Sequence, residues 1–305
     1  MSVDQSPVSK RIFALRSDQP SIFSIDCTGQ DYRLIIDGLE GVPDGIQVDK
    51  GRSVVYWTNM GRRHIADDGT IEFDMEDGSV EAVDLEGKNR RSLAGNGAFS
   101  TPKQLHLDAG RELLYWSDRE GGAVWRSRTD GKELTCLIDR SSVPGGRRAI
   151  LNQCVGVAVD YTNERLLWTQ KGPAKGGQGR IFCAGLEMPA GQTASDRTDI
   201  EVLLSDLPEP IDLEIDTKRQ VLYWTDRGAP PYGNSLNRAK LTPDGLVDPQ
   251  VICVGFSEAI GLAVDAAAGV AFVADLGGHI WRVDLSTGRS EVIFALGRIT
   301  GITLS

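Results

Sequence analysis

Two stretches of this chain place a pair of polar side chains two residues apart in an otherwise apolar run: QLHLD, with Gln104 and His106, and DLEID, with Asp212 and Glu214. On an extended chain alternate residues share a face, so each pair projects to one side. Such a set could do general acid–base work. A histidine titrates near neutral pH, and a desolvated carboxyl can keep its proton there. Two readings fit these four residues, a titratable cluster in a binding channel or a buried hydrogen-bond network, and both require partners or water. Two further histidines, His64 and His279, lie in or beside loops and could shuttle protons or be plain surface. Arg62, Arg63, Arg147, Arg148, Lys171, Lys175 and Arg227 fall in loops of the same group. Together they suit an anionic or enolate-like ligand, or simply a solvated charged face. Tyr232, among prolines and a glycine, could cover a ligand, and Phe99 lies in a neighbouring loop.

These residues are positioned by a repeat. A short apolar strand ends in Asp, and an aromatic follows eight positions later: Asp49 and Trp57, Asp108 and Trp116, Asp160 and Trp168, Asp216 and Trp224, with Val273 standing eight positions after Asp265 in the fifth copy. Five copies at one spacing are not accidental, and internal repetition decides the fold before anything else does. Each copy is followed by an alternating strand such as GRIFCAG or GHIWRVDLSTG, and then by a third such as IEVLL or SEVIF. Alternation of this kind marks strands. Each unit is therefore a four-stranded antiparallel sheet, with strands a to d from the axis outward. It cannot bury both faces alone, so the units must stack radially. RIFAL, SIFSID and DYRLII supply strands b, c and d of a blade without strand a, and the C-terminal GITLS supplies the missing one. The expectation is one all-β domain over residues 1–305, a six-bladed β-propeller whose first and last strands share a blade, with residues 1–10 a flexible tail.

VVYWTN, LLYWSD and VLYWTD resemble the YWTD repeats of low-density lipoprotein receptor class B propellers, which are six-bladed. The chain departs from that pattern where Asn59 and Gln170 replace the last motif Asp. The resemblance makes the motif aromatics scaffold, which assigns Tyr56, Trp57, Tyr115, Trp116, Trp168, Tyr223 and Trp224 to the core. In overall build the chain also looks like solitary intracellular fungal propellers of the hetero-Diels–Alderase kind from tropolone-sesquiterpenoid pathways. That resemblance implies an intermolecular cycloaddition at the channel mouth, with polyketide tropolone and terpene substrates and no cofactor. Two other classes stay open: a cytosolic ligand-binding or protein-interaction propeller, and a metal-dependent lactonase-like hydrolase recruiting Glu214, Asp212 and Asn152, since a hard cation takes oxygen ligands.

Strand a lines the channel, and its first inward position is usually glycine, as at Gly45, Gly156, Gly261 and Gly301; Gln104 and Asp212 are the exceptions. The long b–c and d–a loops share one face, and function concentrates on loops held by a rigid scaffold. The site is accordingly expected at that end of the channel. His64, His106, Glu214, His279, Arg63 and Arg227 are the catalytic candidates; Gln104, Asp212, Asn59, Gln170, Lys171, Tyr232 and Phe99 are the substrate contacts, with no metal site.

Composition narrows the classes further. A net charge of −10 argues against a nucleic-acid surface, which needs clustered Lys and Arg. No apolar run approaches the roughly 20 residues of a spanning helix. The N-terminal MSVDQSPVSKRIFAL has no apolar signal core, and the five cysteines show no paired spacing, which together suggest a cytoplasmic protein with reduced thiols. There is no GxSxG, HExxH, P-loop or EF-hand pattern.

Overall fold

The computed structural model describes residues 10–305 except Asp68, Thr70 and Asp74. Six four-stranded antiparallel sheets form a ring of blades. In blade 1, Ile299–Leu304 is the inner strand, followed outward by Arg11–Arg16, Ser21–Asp26 and Arg33–Ile36. Blade 2 begins with Pro43–Asp49, blade 3 with Pro102–Asp108, blade 4 with Val157–Asp160, blade 5 with Pro210–Asp216 and blade 6 with Ala259–Asp265. The shared blade is thus a fact of register: Ile12 pairs with Leu304, Phe13 with Thr303 and Ala14 with Ile302. Of the expected tail, residues 1–9 lie outside the described residues. Lys10 is described, and its ammonium is 2.6 Å from the Asp265 carboxylate.

The motif aromatics are core, as their spacing implies. Trp57, Trp116, Trp168, Tyr56 and Tyr115 are fully buried, and Tyr223 and Trp224 nearly so. Tyr56 packs with Leu105, Leu114 and Trp116 of the next blade, so the aromatics seal blade against blade. The motif hydroxyl laces blades through hydrogen bonds. Thr58 Oγ1 accepts from Gly45 N in its own blade and donates to Lys103 O in the next. Thr169 does the same between Gly156 N and Ile211 O, and Thr225 between Asp212 N and Ile260 O. Ser117 donates to Val155 O.

The closing Asp of the motif clamps backbone. Asp118 accepts from the amides of Ser100, Thr101 and Gly121, fastening the d–a loop to the b–c turn. Asn59 performs the same task in blade 2, with its Oδ1 accepting from Val42 N and Gly61 N. A short hairpin of His64–Ile65 and Ile71–Glu72, which the sequence pattern does not predict, projects from the b–c loop of blade 2.

Candidate functional site in the channel

The inner strands bring the two polar pairs to one cavity. It occupies about 290 Å³ and is lined by Gln47, Gln104, His106, Asp212 and Glu214, with Tyr161 and Thr217 nearer its rim. Asp108, Ala109, Tyr161 and Thr217 stand at the a–b ends of their blades, and Ala109 and Thr217 are exposed. The cavity therefore opens toward the a–b turns. The other end of the channel is filled. Val155, Ile211 and Ile260 form a buried apolar cluster there, beside a buried Lys103–Asp44 ion pair at 2.5 Å. The b–c and d–a loops, long as they are, do not lead into this cavity, which opens at the end opposite the one expected from loop length.

Each acidic side chain holds an amide of the next blade. Asp212 Oδ2 accepts from Leu262 N and Glu214 Oε2 from Val264 N, both at 2.9 Å. Asp212 Oδ1 also accepts from Leu213 N at 2.9 Å. Burial pushes the Asp212 carboxyl up to about 8, with the nearby Asp44 charge adding to the effect. Glu214 rises to about 8 for the same reason, with Asp212 as the second cause. Two carboxyls that repel each other in a poorly solvated space titrate as a pair, and at neutral pH the pair retains protons. His106 moves the other way: burial pulls it down to about 4, so its imidazole is neutral. Its Nε2 is buried with no hydrogen-bond partner, and its ring lies 6.1 Å from Tyr115 and 6.3 Å from Tyr161, centroid to centroid. Arg111 sits 4.4 Å above the Tyr161 ring and steadies that side of the mouth.

Gln104 faces the same space, but its Nε2 is committed to Asp44 Oδ2 at 3.1 Å. Asp44, at the filled end of the channel, is a partner of this set that sequence alternation missed. Pairing between the inner strand of blade 2 and its neighbour shifts between Pro43 and Ile46, and a bulge breaks the simple two-residue rule. Tyr161 was missed because it lies in a turn, one residue past the strand-ending Asp160.

The remaining candidates are placed elsewhere. Asn59 is a backbone clamp, and Gln170 accepts from Arg180 Nε at 2.8 Å while donating to Ile150 O. Lys171 and Arg227 both contact Glu209 Oε1, at 3.2 and 2.8 Å, in a buried trio that ties blade 4 to blade 5. Phe99 is buried edge-on against Trp116. His279 has Nδ1 3.1 Å from Asp275 Oδ1, and His64 stands on the blade 2 hairpin. Arg63 is exposed, donating to Ser17 O at 3.4 Å, and Tyr232 is exposed at a separate cavity of blade 5. Among the described residues no three His, Cys, Asp or Glu side chains converge as metal donors, and Asn152 turns its amide to Pro144 O and Gly146 O. All five cysteines are free thiols, and no described helix is long and apolar enough to cross a membrane.

No protein-family profile matches the chain. Over 316 aligned residues it is 40% identical to a Pyricularia oryzae protein named low-density lipoprotein receptor-related protein 1, covering 97% of this chain and 98% of that one. It is 38% identical over 277 residues to the Cochliobolus heterostrophus 3-hydroxyacyl-CoA dehydrogenase-like protein LAM1; the match takes in 87% of this chain but spans only 56% of that protein's length. Among solved structures, a chain of a nidogen–laminin complex superposes with a TM-score of 0.72 at 16% identity, over 97% of this chain and 98% of that one. A Xanthomonas campestris gluconolactonase superposes at 0.64 and 16%, over 94% and 89%. At such identities the structures establish the shared propeller and nothing finer, and the propeller hosts both enzymes and binding modules. The near end-to-end match at 40% identity places this chain in the same family of six-bladed propellers as the Pyricularia oryzae low-density lipoprotein receptor-related protein 1.

Proposed function

We propose that the protein is a small-molecule enzyme working in its channel cavity, where it promotes an intermolecular hetero-Diels–Alder addition between a quinone-methide-like tropolone and a terpene. One arrangement carries the reading: Asp212 and Glu214, whose carboxyls burial pushes up to about 8, and the unpartnered Nε2 of His106 line one small cavity. Perturbed groups gathered in a cleft are the usual mark of a working site.

The chemistry follows from the protonation states. Glu214 uses Oε2 to accept from Val264 N, which leaves Oε1 to carry its proton. Delivered to the hydroxyl of a hydroxymethyl tropolone, that proton lets the C–O bond break and water depart. The carboxylate left behind takes up the enolic proton of the ring, so no net proton is consumed, and His106 Nε2 orients the enolic hydroxyl by accepting from it. A cavity of about 290 Å³ holds one such reactant. The terpene would add from the mouth, beside Tyr161 and Thr217. Holding both in near-attack geometry can lower a barrier by roughly 7–11 kcal/mol in favourable cases. Arg63 and Arg227, on other parts of the molecule, take no part in this scheme.

The name of the Pyricularia oryzae relative favours a second reading, a ligand-binding or protein-interaction propeller, which predicts binding without turnover. A lactonase-like activity predicts hydrolysis that a chelator abolishes. Purified protein incubated with a hydroxymethyl tropolone and humulene, with and without EDTA, separates the three. Stereoselective adduct unaffected by EDTA supports the proposal. Adduct no faster and no more selective than in buffer overturns it for that pair.

A further inference from the structure

Blade 5 contains a second cavity, of about 200 Å³, walled by Leu207, Pro208, Trp224 and Val251 and rimmed by the exposed Tyr232. It lies where the repeat varies. On strand c, the residue opposite the strand-b position of the motif Trp is Trp125 in blade 3 and Trp281 in blade 6, Glu81 in blade 2 and Phe182 in blade 4, and Asn237 in blade 5. In blade 6 the indole of Trp281 fills this position, and its Nε1–H donates to Asp275 Oδ2 at 2.8 Å. Asn237 is too short to do so. Its amide donates instead to Ser235 Oγ at 2.9 Å and to Trp224 O at 3.4 Å.

The consequence falls on Asp226, the closing Asp of its motif. Oδ1 accepts from both Glu209 N and Gly228 N at 2.9 Å. Oδ2 is buried with no partner, although Asp226 is only 1% exposed and lines the cavity. A buried acceptor without a donor is costly, and a group that supplies one gains that cost back. Burial lifts this carboxyl to about 6, so at pH 7.5 it is ionised and able to accept.

We propose that the cavity is a binding site for an indole or similar planar bicycle bearing one N–H, which takes the place that Trp281 fills in blade 6. The apolar walls receive the ring system, Asp226 Oδ2 accepts the N–H, and Tyr232 is placed to cover the outer edge. The size suits one bicyclic group, since drug-sized ligands occupy larger pockets. This site is separate from the channel and does not depend on the chemistry proposed there.

Isothermal titration of the wild-type protein at pH 7.5 with indole and with 1-methylindole tests the idea, because the two probes differ only at the donor. Indole is expected to bind at least tenfold more tightly. Asn237→Trp supplies the missing ring internally, so it should lower indole affinity at least tenfold and raise the melting temperature. Equal affinity for the two probes, no binding of indole up to its solubility limit, or undiminished indole binding by a folded Asn237→Trp variant would each overturn the proposal.

Discussion

Asp212 and Glu214 stand two residues apart on the inner strand of blade 5, and each grips a backbone amide of blade 6, Leu262 N and Val264 N, at the same 2.9 Å. The arrangement makes the pair both a staple between blades and the most strongly perturbed acids of the channel. Stability and chemistry are therefore read through the same two carboxyls.

Stability should fall as pH rises from 6.5 to 8. Both carboxyls sit near 8 in the fold, against ordinary values of 3.8 and 4.5, so across this window the folded state holds protons that the unfolded chain has lost. His106, at about 4 against 6.5, acts oppositely, and its opposing slope is half spent at pH 6.5 and gone by about pH 7.5, too small throughout to cancel two carboxyls. Asp226, at about 6, has largely finished titrating there as well. Denaturant melts at quarter-unit steps should show a slope of up to about 1.4 kcal/mol per pH unit for each fully protonated group. Asp212→Asn with Glu214→Gln should flatten it. An unchanged slope in the double variant would assign the dependence to other groups.

His106→Ala and Glu214→Gln should each reduce adduct formation by about 100-fold or more, the usual scale for an acid–base group. Lys132→Ala should have no effect, since Lys132 pairs with Asp130 on an outer turn. If the channel pair is purely structural, melting temperature falls while activity per folded molecule stays normal.

Removing Ile299–Ser305 takes away the inner strand of blade 1 and leaves the edge of Arg11–Arg16 unpaired. An exposed edge of that kind invites association. The truncated chain should aggregate or unfold without a cooperative transition, which light scattering and circular dichroism would register. A cooperative melt at the wild-type temperature would contradict the closure.

Thr225→Val keeps the side-chain shape but deletes two hydrogen bonds, one accepted from Asp212 N at 3.1 Å and one donated to Ile260 O at 2.7 Å. Both backbone groups are buried, so the loss should be about 1–3 kcal/mol for each group left without a partner. Urea denaturation of the variant measures it. A change under about 0.5 kcal/mol would mean that the motif hydroxyl does not lace the blades.

Much of the architecture was legible because it is local. Alternation over six or seven residues makes a strand, the constant interval from Asp49 to Trp57 and from Asp108 to Trp116 makes a repeat, and the unmatched ends can be satisfied only by pairing RIFAL with GITLS. The same logic placed His106 and Glu214 on channel-facing positions of inner strands. Contacts between distant segments carried no such signal. Asp44 reaches Lys103 across 59 residues, and Lys171 reaches Glu209 across 38, so neither pairing shows in a local pattern. Loop length pointed to the end of the channel opposite the cavity, because where a cavity opens depends on which side chains fill the axis. Val155, Ile211 and Ile260 converge there only after blades 4, 5 and 6 are stacked. Asn59, Gln170, Lys171 and Arg227 are held in the framework for the same reason: a polar residue at a strand end or on a loop becomes a clamp or a ligand contact according to the partner that the tertiary structure brings to it.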